Sequence, residues 1–93
     1  MEIKLEKGEK KGSAYFEDDG NRVAEMTFSV ASKELIIIDH TYVNENYRDQ
    51  ELGRLLLDVL VQKAREDDFK IMPLCPYAAT QFQKDESIRD VMR

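Results

Sequence analysis

Four side chains and one loop in this chain could do chemistry. The run YRDQELGRLL, residues 47–56, sets Arg48, Gly53 and Arg54 around the start of an amphipathic segment. A helix beginning there offers the free N–H groups of its first turn to an anion, the arginines add positive charge, and Gly53 allows close approach. The same residues also fit a helix that caps itself, with Asp49 favouring the dipole. His40 lies in LIIIDHTYV, and an imidazole titrating ordinarily at about pH 6.5 suits a general base, or a hydrogen-bonded histidine beside the core. Cys75, in PLCPYA, could be a nucleophile or a proton donor, or an inert buried thiol. Tyr77 could donate a proton or simply pack. Glu25 is a further candidate base acting through water, against the plainer reading of a solvated surface charge.

Those residues must be positioned by elements that the periodicity predicts. Residues 2–6 and 13–17 alternate as short strands, and DDGN at 18–21 is a hairpin signal because Gly20 tolerates positive φ. RVAEMTFSV places Ala24, Met26, Phe28 and Val30 on a buried face and Val23, Glu25, Thr27 and Ser29 on the other. After a turn at ASKE, residues 35–43 form the most strand-like run, rich in β-branched and aromatic residues. The period then becomes helical through Leu52, Leu56, Val59, Leu60 and Ala64, starting near Gln50 or Glu51 and stopping near EDD. FKIMPL supplies a fifth strand ended by Pro73, and PYAATQFQKD and ESIRDVMR read as short helices. Strand, helix and strand in succession imply a right-handed crossover and a parallel fifth strand. The expected fold is therefore α+β: a mixed, mostly antiparallel sheet of about five strands, one main amphipathic helix and short C-terminal helices.

Composition narrows the function. Ninety-three residues, 42% of them hydrophobic and 35% charged, make one small globular domain over residues 1–93. A formal charge of −5 argues against nucleic acid, and the longest apolar run, LIII at 35–38, is far too short to span a membrane. The N-terminal stretch has no apolar signal core, so the default address is cytoplasmic. One cysteine and one histidine exclude an internal disulfide and a full zinc shell, so no structural metal is expected.

Taken in order along the chain, VNENYRDQELGRLL after a long strand resembles the acyl-CoA-binding motif of the GNAT N-acetyltransferase superfamily, Gln/Arg-x-x-Gly-x-Gly/Ala. Arg48 holds its first position and Gly53 its last, while Glu51 replaces the intermediate glycine. With DHTYV and PLCPYA the resemblance extends over most of the chain and points to a short single-domain subgroup. It implies that the fourth and fifth strands splay apart and admit acetyl-CoA as cosubstrate. The pantetheine arm would pair with backbone at Tyr42 and Val43, and the pyrophosphate would meet the amides of Asp49, Gln50, Glu51, Leu52, Gly53 and Arg54. His40 and Cys75 would then face the same gap, with Tyr77 beside them as proton donor to the departing thiolate. The implied reaction moves an acetyl group to a small-molecule or peptide amine. The acceptor and the oligomeric state stay open, as does a degenerate domain that binds CoA or a protein without turnover.

Overall fold

A computed structural model describes residues 1–93. Five strands, β1 (Glu2–Lys7), β2 (Lys11–Asp18), β3 (Asn21–Ser32), β4 (Leu35–Val43) and β5 (Lys70–Pro73), lie in the sheet in chain order. β1 to β4 form an antiparallel meander, and β5 runs parallel to β4 after the crossover helix α1 (Leu52–Asp67). The expected fold class is observed. Asp19 and Gly20, with φ of 53° and 82°, make the tight β2–β3 turn that the DDGN signal calls for.

The core lies between one sheet face and α1. Alternation in β2 and β3 sends Ala14, Phe16, Ala24, Met26 and Phe28 inward, and they meet Leu52, Leu56, Leu57, Leu60, Val61 and Ala64 of α1. The buried stripe of α1 passes through Leu57 and Val61, whereas Val59, expected on that face, is only half-buried. Asp68 in the left-handed region ends α1, its N–H bonding Ala64 O. α2 (Pro76–Lys84) starts with Pro76 in its first turn, where a missing N–H costs nothing, and buries Ala78 and Phe82.

Three local features differ from the sequence expectation. The polar loop after β4 is a 3-10 helix, Glu45–Gln50, capped by Asn44, whose side chain accepts from Asn46 N at 2.9 Å. The C-terminal segment is also a 3-10 helix, Glu86–Val91, after which Met92 bridges Ile71 and Arg93 N–H bonds Ile71 O, covering the free edge of β5. The third is a bulge in β4. Thr27 pairs with His40 but Phe28 with Ile38, so Asp39 is an extra residue. Its effect is to exchange the faces of every residue that follows.

Candidate functional site

Pairing between β4 and β5 stops at Ile38 and Pro73. A proline has no N–H to continue a ladder, and the next two amides, of Leu74 and Cys75, both bond Ile38 O at 3.1 Å as the chain turns into α2. β4 runs on for five residues without a neighbour on that side. Asn44 N–H bonds Val23 O at 2.8 Å, and alternation from there directs the backbone of Tyr42 and His40 towards β3. The N–H and C=O groups of Thr41 and Val43 therefore point into the gap. This corrects half of the expected backbone contact: Val43 is available there, whereas Tyr42 is tied to β3 and Thr41 takes its place.

At the end of that gap lies the start of α1. Its first i to i−4 bond is from Leu55 N–H to Glu51 O, 3.3 Å, so the N–H groups of Leu52, Gly53 and Arg54 are outside the helical ladder. No side chain caps them. Asp49, the residue suited to capping, lies exposed in the preceding 3-10 helix, as does Gln50. A cavity of about 390 Å³ joins gap and helix end, lined by Thr41, Val43, Arg48, Glu51, Leu52, Gly53 and Tyr77. Neither Asp49 nor Gln50 lines it.

Charge in this cavity is balanced between one base and one acid. Arg48 stands at the mouth, its Nε 3.4 Å from Val43 O. Arg54 does not line the cavity, although its N–H is among those outside the helical ladder. Its guanidinium bonds Asp58 Oδ1 at 2.8 Å and Gln81 Oε1 at 3.2 Å and is paired with Asp85, tying the start of α1 to the end of α2. Glu51 lines the cavity and sits in the left-handed region, φ 55° and ψ 36°. There an L-residue is strained by about 1–2 kcal/mol.

The chemistry-bearing side chains divide between the two sheet faces. Cys75 is buried, and its Sγ lies 3.1 Å from Thr41 Oγ1 at the root of the gap. Tyr77 packs on the first turn of α1, where a Cβ on Gly53 would come within 3.0 Å of its ring. Burial raises the Tyr77 phenol above its ordinary pKa, with Arg54 pulling the other way, so it keeps its proton at neutral pH. His40 does not join them. The bulge puts it on the uncovered face, exposed, beside Asp39 and across from Thr27. The expected pairing of His40 with Cys75 in one gap is thus replaced by Thr41 with Cys75. Glu25 is also on the uncovered face, bonded to Arg22 at 2.6 Å. No three His, Cys, Asp or Glu side chains converge as a metal site would require, and no helix is long and apolar enough to cross a membrane.

The family model described as GCN5-related N-acetyl-transferase matches residues 12–91. The chain belongs to that family. The solution structure of a GCN5-like, provisionally assigned N-acetyltransferase from Staphylococcus aureus is 33% identical, over 97% of this chain and 87% of that one, with a TM-score of 0.73. A ribosomal-protein-alanine N-acetyltransferase from Brucella melitensis biovar Abortus 2308 shares the fold at 23% identity and a TM-score of 0.68, covering 83% of this chain and 62% of that one. No curated protein sequence matches.

For a GCN5-related N-acetyltransferase the splayed strands and the uncapped α1 are the expected frame, and the geometry explains the motif. The position held by Glu51 needs φ > 0, which glycine adopts without strain. Gly53 is needed because Tyr77 lies against it. Sequence reasoning missed Thr41 and Asp39. Thr41 carries no signal of its own in a β-branched strand, and its orientation depends on a bulge visible only through pairing with β3.

Proposed function

We propose that this chain is an N-acetyltransferase that binds acetyl-CoA in the gap between β4 and β5 and passes the acetyl group to an amine. The observation that carries this reading is the coincidence, in one cavity, of the Thr41 and Val43 backbone, which no strand pairs with on that side, with the uncapped first turn of α1. A pantetheine arm has amides to pair with the first, and a pyrophosphate has a charge for the second. Acetyl-CoA supplies a thioester whose carbonyl carbon accepts the amine nitrogen as the C–S bond breaks. The chain's own residues then have two protons to manage. The exposed imidazole of His40 takes the proton lost by the amine, through water if needed, on the uncovered face. Tyr77, protonated and lining the cavity, supplies the proton that the departing thiolate needs.

Direct transfer is favoured over an acyl-cysteine because Cys75 has no base in contact: its polar neighbour is the Thr41 hydroxyl. Intact-protein mass spectrometry after exposure to acetyl-CoA, together with amine-dependent CoA release, tests both points. No acetyl label on the protein and an activity that survives Cys75→Ala but falls in His40→Ala are expected; a label that Cys75→Ala removes and an amine discharges would replace direct transfer by the covalent route. A second reading, a domain that binds CoA without turnover, is supported by Glu51 in the cavity and by the withdrawal of the Arg54 guanidinium, both of which lower affinity for an anion. CoA binding with no amine-dependent CoA release would select it.

A further inference from the structure

The face of the sheet away from α1 has no helix over it, yet it is not flat. A groove of about 680 Å³ crosses it, lined by Glu6, Ser13, Glu25, Thr27, Ser29 and Asp39 among others, and its one apolar lining residue is Phe28. Such a lining suits a polar ligand. Groove and gap share no lining residue, but the groove ends at Asp39, which the bulge turns to this face one residue beyond Ile38, where β5 leaves the sheet.

Its charges are not equivalent. Arg22 bridges Glu6 and Glu25 while stacking 3.7 Å over the Tyr15 ring, so those two acids share one cation. Lys7 and Lys11 also line the groove, but the Lys7 ammonium lies over the Phe69 ring at 5.1 Å and Lys11 stands on β2, two strands from β4. Asp39 is the groove carboxylate with no cation against it. Its Oδ2 accepts from Ser29 Oγ at 2.7 Å, which leans the carboxylate from β4 towards β3 and leaves its other oxygen free. The centre of the gap lies roughly one to one and a half strand spacings, at about 4.8 Å each, from that carboxylate.

We infer that this groove is the acceptor subsite and that it takes a short diamine, whose neutral amine enters the gap while its distal ammonium rests on Asp39. The inference rests on the acetyltransferase reading and deepens it. A monoamine of the same chain length fills the same path but leaves Asp39 unpaired.

The test compares acetylation of putrescine with that of n-butylamine by the whole chain, and follows amide shifts on adding putrescine without acetyl-CoA. Putrescine is expected to have a kcat/KM up to about fivefold higher, the upper end of the range of an exposed ion pair. Asp39→Asn should bring the ratio towards one, and Ser29→Ala, which releases the carboxylate without removing it, should lower it part of the way. Shifts should centre on Ser13, Thr27, Ser29 and Asp39. A ratio near one, or a ratio that Asp39→Asn leaves unchanged, overturns the inference. If no amine is acetylated but putrescine still shifts the groove amides of wild type and not of Asp39→Asn, the diamine site stands and the acetyltransferase reading falls. If putrescine shifts neither groove nor gap, the diamine site falls.

Discussion

Replacing Glu51 with glycine changes backbone and charge at one position, and the two effects separate. Glu51 holds φ 55° and ψ 36° at the N-cap of α1. Glycine removes a left-handed strain of about 1–2 kcal/mol but loses about 0.5–1 kcal/mol more backbone entropy on folding, leaving a net gain near 0.5–1 kcal/mol. For a domain of this size that raises Tm by roughly 2–8 °C. The lost carboxylate acts mainly on the ligand. A charge at a helix N-terminus contributes about 0.3–1 kcal/mol, so its removal from the cavity should lower the Kd for CoA about two- to fivefold. Glu51→Gln is the control, since it removes the charge and keeps the strain: affinity should rise while Tm falls slightly, as the helix loses a favourable charge at its N-terminus. Calorimetric titration of CoA at low and at high salt, with thermal unfolding, checks the set. The gain in affinity should shrink as salt rises. A lower Tm for Glu51→Gly, or a Kd that neither variant improves, would refute the account of this residue.

Gly53→Ala places a Cβ 3.0 Å from the Tyr77 ring, so the ring must give way; CoA affinity and turnover should fall while stability, helped by alanine's helix propensity of up to about 1 kcal/mol, changes little. Titration and thermal unfolding of the same sample decide whether the two separate. Tyr47→Phe removes the bond from Tyr47 Oη to Asp18 Oδ2, 2.7 Å, which ties the 3-10 helix before α1 to the β2–β3 hairpin. A loss of about 1 kcal/mol in urea unfolding is expected, with weaker CoA binding as the loop loosens. Bonds from Ser87 and Arg54 hold the Asp85 carboxyl down at about 2. Its pKa is lower folded than unfolded, so its contribution to stability is complete above the unfolded value and is lost as pH falls through the folded one. Between about pH 4 and pH 2 the wild type should therefore lose stability more steeply than Asp85→Asn, as followed by circular dichroism.

Much of the fold was legible in the sequence because it rests on local pattern. Alternation marked Ala24, Met26 and Phe28 as the buried face of β3, although Val23, which it put on the other face, is buried as well; Asp19–Gly20 fixed the hairpin, and the change of period at Leu52 marked the helix whose return makes β5 parallel. The order of motifs was enough to place the loop at the start of α1, where Arg48, Glu51, Leu52 and Gly53 line the cavity. What the sequence could not settle was which side each chemical group faces. Counting by twos along β4 puts His40 with Ile36 and Ile38, on the side of Cys75; the bulge at Asp39, created by pairing with β3, moves His40 across and sends Thr41 to the thiol. Partners distant in sequence decided the rest. Arg54 reads as an anion ligand until Asp85 and Gln81 fold against it, and Glu25 reads as a free base until Arg22 reaches it. Periodicity reports a residue's relation to its own element, whereas a bulge or a long-range ion pair is a relation between elements that exists only after they have packed.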